Sequence, residues 1–214
     1  MAEKMRCVII CGSPEYNAGF LKQTVKEDDY VICADMGYEY AVNAGIKPDL
    51  IVGDFDSCKI KLPADIETIK LNTHKDDTDA MHCVCVAADK GFDEIILLAA
   101  LGGRNDHSFA NFCLLSYLCD RGVKARIESE NEAVYFLKPG EYSFDNNKGK
   151  TFSVFPFGCD EINVSYLGDV AYPAFDLSLN LSVVQGISNI FNSDHVRIRV
   201  NKGTCLVFVE KNVQ

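Results

Sequence analysis

Two carboxylates stand two residues apart in "IVGDFDSCK" (residues 51–59): Asp54 and Asp56. Like charges that close repel, and a turn needs only one of them, so the second points to a cation held between them. A further acidic group, Asp76, Asp77 and Asp79, follows Lys75 in "KDDTD". Arg104, Asp106 and His107 follow a glycine pair in "LGGRNDH", and Asp35 closes the apolar run "VICA". Carboxylates are hard oxygen ligands that suit Mg2+, which keeps several waters and takes one or two carboxylates plus substrate phosphates. Lys75 as a point charge and Arg104 as a planar fork suit phosphate oxygens. Together these residue types describe a magnesium–nucleotide site for phosphoryl transfer, in which positioning and charge neutralisation carry most of the catalysis.

Each piece also has a plainer reading. An aspartate after a strand is often a turn residue or a helix cap, which is open for Asp35. Asp76 and Asp77 read more naturally as a capping cluster at a helix start, favoured by the helix dipole. Asp106 can cap the helix that begins near it, and His107 reads first as a structural histidine. The paired aspartates of "GDFDS" resist such a reading, and it is the joint placement that carries the chemistry. No G-x-x-x-x-G-K-[ST] loop, no G-x-G-x-x-G after the first strand and no G-x-S-x-G elbow is present, so P-loop, dinucleotide and serine-hydrolase sites are not expected.

For these groups to meet, the chain must bring them to one edge. The first half alternates apolar, strand-like runs with helix-like segments. "RCVIICGSP", "DYVICADMG", "DLIVGDFDS", a short "ADIETIKLN", "DEIILLAALGG" and "VKARIES" read as strands. "YEYAVNAG", "DDTDAMHCVCVAADKG" and "DHSFANFCLLSYLCDRG" read as helices, the second with Met81, Val84, Cys85 and Ala88 on its apolar side, and Gly45, Gly91 and Gly122 close them. That order predicts a parallel sheet covered on both faces, and ligands bind such sheets outside the carboxyl ends of the strands. After about residue 130 the texture changes to short strands broken by Pro-Gly and Asn-Asn-Lys-Gly, with no convincing helix and a final hairpin turning at Asn201-Lys202-Gly203. We therefore expect an α/β domain over 1–129 and an all-β domain over 130–214.

Composition bounds the partners. The 214 residues are 48% hydrophobic and 24% charged, ordinary globular material with a net charge of −10. Such a chain is not built to neutralise a nucleic-acid backbone, although a nucleotide can enter with a divalent cation. Ten cysteines occur with no Cys-x-x-Cys pair; they read as buried thiols in a reducing compartment. The apolar run at residues 7–11 is too short for a signal peptide and no run reaches membrane length, so the expectation is a cytoplasmic protein with no membrane partner.

The segments "ADMGYEYAVNAGIKPDLIVGDFDS", "HKDDTDAMHCV", "LGGRNDHSFANFCLL" and "GISN" resemble, in order and spacing, the thiamine pyrophosphokinase family. The resemblance covers nearly the whole chain, and the motifs are specific as a set. It implies a Rossmann-like α/β domain that binds ATP and Mg2+, a C-terminal β-sandwich that binds thiamine and dimerises, and a homodimer with active sites at the subunit interface. It implies that the thiamine hydroxyl attacks the β-phosphorus of ATP, giving thiamine diphosphate and AMP. By position, Asp54, Asp56 and Asp79 resemble the family's metal and phosphate-site carboxylates, which with Arg104 form the implied catalytic set. Asp35, Lys75, Thr78, Arg104 and Asp106 fall where ATP and substrate contacts are made, and Ser188 and Asn189 where thiamine is met across the dimer. The chain has no Trp, so Tyr166, Tyr172 and Phe191 are the candidates for an aromatic face. Two other readings compete: a Mg2+-dependent Asp-x-Asp phosphatase with Asp54 as nucleophile, and a non-catalytic thiamine or nucleotide sensor.

Overall fold

The structure is a computed structural model that describes residues 6–55, 60–72 and 77–213. The chain divides into two compact units, Met1–Glu130 and Asn131–Gln214.

The first unit holds strands β1 (Arg6–Ile10), β2 (Tyr30–Ala34), β3 (Leu50–Gly53), β4 (Glu67–Lys70), β5 (Glu94–Leu98) and β6 (Lys124–Glu128). They lie in the order β6-β5-β1-β2-β3-β4, and every pairing is parallel. The central strands are apolar at nearly every position because both faces are covered. On one face Val8, Ile10, Val31, Cys33, Ile51, Ile96 and Leu98 pack with Leu21 of helix α1 (Ala18–Thr24) and Tyr38, Tyr40 and Ala41 of α2 (Gly37–Asn43). The alternate residues, including Ile9, Ile32, Leu50, Ile95 and Leu97, are wholly buried on the other face. Helix α3 (Asp79–Asp89) contacts β1, β2 and β3 and packs beside α4 (Asn105–Asp120).

Two details depart from the sequence reading. Helix α1 was not legible as a periodic segment: it is seven residues long and carries Gly19, and its start is set by Asn17, whose side chain accepts from the Phe20 N–H at 3.0 Å. The inward face of α3 is Cys83, Val84 and Ala87; of the expected stripe Met81, Val84, Cys85 and Ala88 only Val84 lies on it, and the Cys83 thiol behaves as a small apolar group and belongs inside.

The second unit contains β7 (Glu132–Leu137), β8 (Gly140–Asp145), β9 (Lys150–Pro156), β10 (Glu161–Leu167), β11 (Leu177–Asn180), β12 (Asn189–Ile190), β13 (His195–Lys202) and β14 (Cys205–Val213), with no helix among the described residues. Two antiparallel groups, β12-β9-β14-β7 and β11-β10-β13-β8, share one apolar core that includes Phe152, Val154 and Val207 of the first and Ile162, Val164 and Ile198 of the second. The expected terminal hairpin is not formed: β13 pairs with β10 and β8, and β14 with β7 and β9. Gly203 does turn the chain, at φ 77°, but the Phe157 N–H then donates to the Thr204 carbonyl (2.9 Å) and draws the chain alongside β9. A turn signal reports a reversal and not the strand that the chain pairs with afterwards.

No helix among the described residues is long and apolar enough to cross a membrane. The first turn of α2 sits directly on β1: a Cβ at Gly37 would lie 2.0 Å from the Ile10 carbonyl oxygen. Gly37→Ala must push the helix off the strand, and we expect a loss of roughly 2–3 kcal/mol in urea unfolding.

Candidate active site

Four parallel strands end on one cleft of about 830 Å3. Strand β1 delivers Cys11, Gly12, Ser13 and Pro14; β2 delivers Asp35; β3 delivers Asp54; β5 delivers Ala100, Gly102, Gly103 and Arg104. Asp77, Thr78, Asp79 and Ala80 enter from the start of α3, and His107 and Asn111 from α4. The parallel order of the strands does this by itself, since all of their carboxyl ends face the same way.

Asp35 sits in the left-handed backbone region, at φ 45°, which aspartate tolerates better than most residues. Its N–H donates to the Val52 carbonyl (2.9 Å) and its carbonyl accepts from the Tyr38 N–H (3.1 Å), so β3 and α2 both fix it. A Cβ on Gly53 would come within 3.0 Å of the Asp35 Cα. The glycine before Asp54 therefore lets the ends of β2 and β3 approach and sets their two carboxylates on the same wall.

Helix α3 begins at Thr78, whose hydroxyl accepts from the Met81 N–H at 3.1 Å, and Asp79 lies in its first turn. Thr78 thus does the capping that the sequence suggested for Asp76 or Asp77, and Asp77 instead lines the cleft. The amino end of this 11-residue helix turns positive partial charge toward the acidic wall.

The segment after β5 is held group by group. The Ala99 carbonyl accepts from the Ser13 N–H (2.9 Å), and the Ala100 carbonyl from the buried amide of Asn111 (2.8 Å). The Ser13 hydroxyl donates to the Leu101 carbonyl. The Gly102 N–H donates to the Ser108 hydroxyl (3.1 Å), and the Gly103 N–H to the Glu15 carboxylate (2.9 Å). Arg104, next in the chain, forms a bidentate pair with Asp106 at 3.1 and 2.6 Å. The guanidinium holds the Asp106 carboxyl below the usual carboxylate range, and Asp106 raises Arg104 in turn.

Of the residues singled out in the sequence, Asp35, Asp54, Thr78, Asp79 and Arg104 come together on this cleft. Asp106 stands beside Arg104 and not on the wall. Asp56 and Lys75 lie outside the described residues. Ser188 and Asn189 are in the second unit. Ser188 is exposed, with φ 56°. Asn189 is 4% exposed, and its amide is committed to its own chain: it accepts from the Tyr172 N–H (2.9 Å) and donates to the Tyr172 carbonyl (2.8 Å). Among the aromatic candidates, Phe191 and Tyr166 are core residues; their rings pack against Phe152 and offer no face to a ligand. Tyr172 is 68% exposed. The sequence reading passed over Ser13, Glu15 and Asn111. Asp35 and Asp54 were singled out because each stands just past the end of a strand, and the same rule applied to β1 reaches Ser13 and Glu15.

Asp35, Asp54, Asp77 and Asp79 offer the hard oxygens that suit a divalent cation carrying phosphates, and they stand on one cleft, but among the described residues no three acidic, histidine or cysteine side chains are grouped closely enough to hold a metal by themselves. The sequence matches the family model for the catalytic domain of thiamin pyrophosphokinase over residues 21–127. It is 29% identical over 187 residues to the thiamine pyrophosphokinase of Bacillus subtilis (strain 168), an alignment spanning 85% of this chain and 87% of that protein. The fold is similar to the crystal structure of thiamine pyrophosphokinase from Bacillus subtilis, with a TM-score of 0.86 at 24% identity over 97% of this chain and 99% of that one. It is similar also to yeast thiamin pyrophosphokinase, with a TM-score of 0.78 at 15% identity over 100% and 88% of the two chains. At those identities the two structures speak for the fold, an α/β unit followed by a β unit.

Removing the α3 cap tests the local account. Thr78→Ala is expected to cost about 1 kcal/mol in chemical denaturation, the usual worth of such a cap, with Thr78→Ser restoring most of it.

Proposed function

The chain belongs to the thiamin pyrophosphokinase family, and we propose that it transfers the pyrophosphoryl group of ATP to the hydroxyl of thiamine, giving thiamine diphosphate and AMP. The observation that carries this reading is the cleft itself, where Asp35, Asp54, Asp77, Asp79 and Arg104 converge at the carboxyl ends of the parallel strands. The family match favours neither the Asp-x-Asp phosphatase nor the sensor.

Asp54 and Asp79, with Asp56 on the strength of its sequence position, would hold Mg2+. When bound, the ion supplies charge neutralisation along the triphosphate. Every other contribution is the chain's own. Arg104 and the amino end of α3 face the phosphate oxygens, and Lys75 joins them by sequence position. A carboxylate of the same wall accepts the proton of the thiamine hydroxyl as it attacks phosphorus. The net negative wall suits the cationic thiazolium of thiamine.

In this reading the first unit is a Rossmann-like nucleotide domain. The second is a β-sandwich that binds thiamine and dimerises, the two copies forming active sites at their interface. Ser188 and the exposed ring of Tyr172, its backbone clamped by Asn189, are the thiamine contacts. The apolar side chains that the second unit exposes, Phe175, Leu181, Val183, Val184 and Ile187, support a partner surface there. None of the nine described cysteines is in a disulfide, which fits a cytoplasmic setting.

Purified chain with Mg2+ and ATP is expected to form AMP one-for-one with thiamine diphosphate, and only when thiamine is present. ADP, or free phosphate without thiamine dependence, would refute the assignment. Asp54→Asn should lower turnover by about a hundred-fold or more with an unchanged circular dichroism spectrum; near-wild-type activity at limiting Mg2+ would remove Asp54 from the metal site.

A further inference from the structure

The segment after β1 is a strap between two parts of the cleft. At one end Ser13 and Glu15 take hold of the glycine turn after β5. The Ser13 hydroxyl donates to the Leu101 carbonyl and lies 3.2 Å from that of Gly102, and the Glu15 carboxylate accepts from the Gly103 N–H at 2.9 Å. At the other end the ring of Tyr16 stacks on Tyr40 of α2, centroids 3.7 Å apart, and its hydroxyl accepts from the Asn43 amide at 3.0 Å. Asn17, next in line, caps α1 and donates to Glu130 at 2.8 Å. Glu15 is therefore an exposed side chain on a backbone anchored on both sides.

The turn it holds needs holding. Gly102 and Gly103 both adopt positive φ, 90° and 68°, and two consecutive glycines have more backbone freedom than any other pair. The fit is close: a Cβ on Gly102 would lie 2.5 Å from the Glu15 carboxyl, and one on Gly103 would lie 2.7 Å from the Pro14 ring. Arg104, immediately after the pair, is both the N-cap residue of α4 and a wall of the cleft, and no side chain caps that helix through it. Asp106 holds its guanidinium, while the turn before it sets where its backbone enters the cleft.

We propose that Glu15 is a positioning residue for the nucleotide: its carboxylate, fastened to the Gly103 N–H, keeps the glycine turn in the shape that presents Arg104 to the phosphates. The inference rests on the reading of the cleft as an ATP site and adds to it a residue outside the acidic wall. Glu15 touches no reacting atom. It lowers the ordering that ATP would otherwise impose on the turn. What counts is the hydrogen bond, not the charge, because an anion placed beside a polyphosphate has nothing else to offer.

The test is calorimetric titration of the full chain with ATP and Mg2+ in the absence of thiamine, followed by steady-state kinetics. Glu15→Ala is expected to weaken ATP binding roughly five-fold, the worth of one partly exposed hydrogen bond. It should raise KM for ATP in proportion, with kcat and KM for thiamine within about two-fold of wild type. Glu15→Gln keeps an acceptor oxygen and should bind ATP as wild type does. The proposal is overturned if Glu15→Ala binds ATP normally, if its loss falls on kcat, or if Glu15→Gln is as weak as Glu15→Ala. Because the titration reads ATP alone, it decides the role of Glu15 even if thiamine proves not to be the acceptor.

Discussion

Four aspartates, Asp35, Asp54, Asp77 and Asp79, line the same cleft, and their mutual repulsion must be tolerated by the rest of the unit. Neighbouring carboxylates favour proton uptake or a bound cation. The fold offsets the repulsion with the amino end of α3, aimed at the wall, and with strand ends fixed tightly enough that the carboxylates cannot drift apart. Gly53 and Gly37 serve that second purpose. One lets β2 and β3 end side by side and the other lets α2 rest on β1, and neither position accepts a side chain without displacement. The cleft thus gathers acidic groups from separate strands on a fixed frame, which is the kind of preorganisation phosphoryl transfer uses.

Much of this could be read from the chain. Among the described residues of the first unit, the alternation of apolar runs with amphipathic segments located the six strands and three of the four helices, because a strand buried on both faces leaves an unbroken apolar signature. Helix α1 escaped because it buries only Leu21 and no glycine closes it, whereas α2, equally short, buries four residues and ends before Gly45. In the second unit the strands were visible from their alternation, but not which strand pairs with which. The chain crosses from one sheet to the other at Gly203, and pairing of that kind is decided by core packing between residues far apart in sequence.

The site was legible where a residue type was surprising and opaque where it was ordinary. Two aspartates beside a glycine stand out, and one of them, Asp54, lines the same cleft as Asp35 and Asp79. Ser13, Glu15 and Asn111 are common surface and helix residues, and nothing in their type announces that each holds a main-chain group of the β5 turn. Asn189 shows the converse. Its position in "GISN" suggests a ligand contact, whereas its amide is engaged on the backbone of Tyr172, so its influence on any ligand passes through that ring. Among the aromatic candidates, burial selected Tyr172 over Phe191 and Tyr166, a distinction that residue identity does not carry.

Cys11 stands in the wall of the cleft, at the end of β1. A cysteine in such a place invites electrophiles, since covalent inhibitors are commonly aimed at active-site thiols. Here the invitation is empty. Cys11 is 3% exposed, and burial pushes its thiol up to about 12, well away from the thiolate form that reacts. Cys113, by contrast, is exposed on α4. Among the described cysteines, alkylating agents and mild oxidants will reach Cys113 on α4 before Cys11 in the cleft wall.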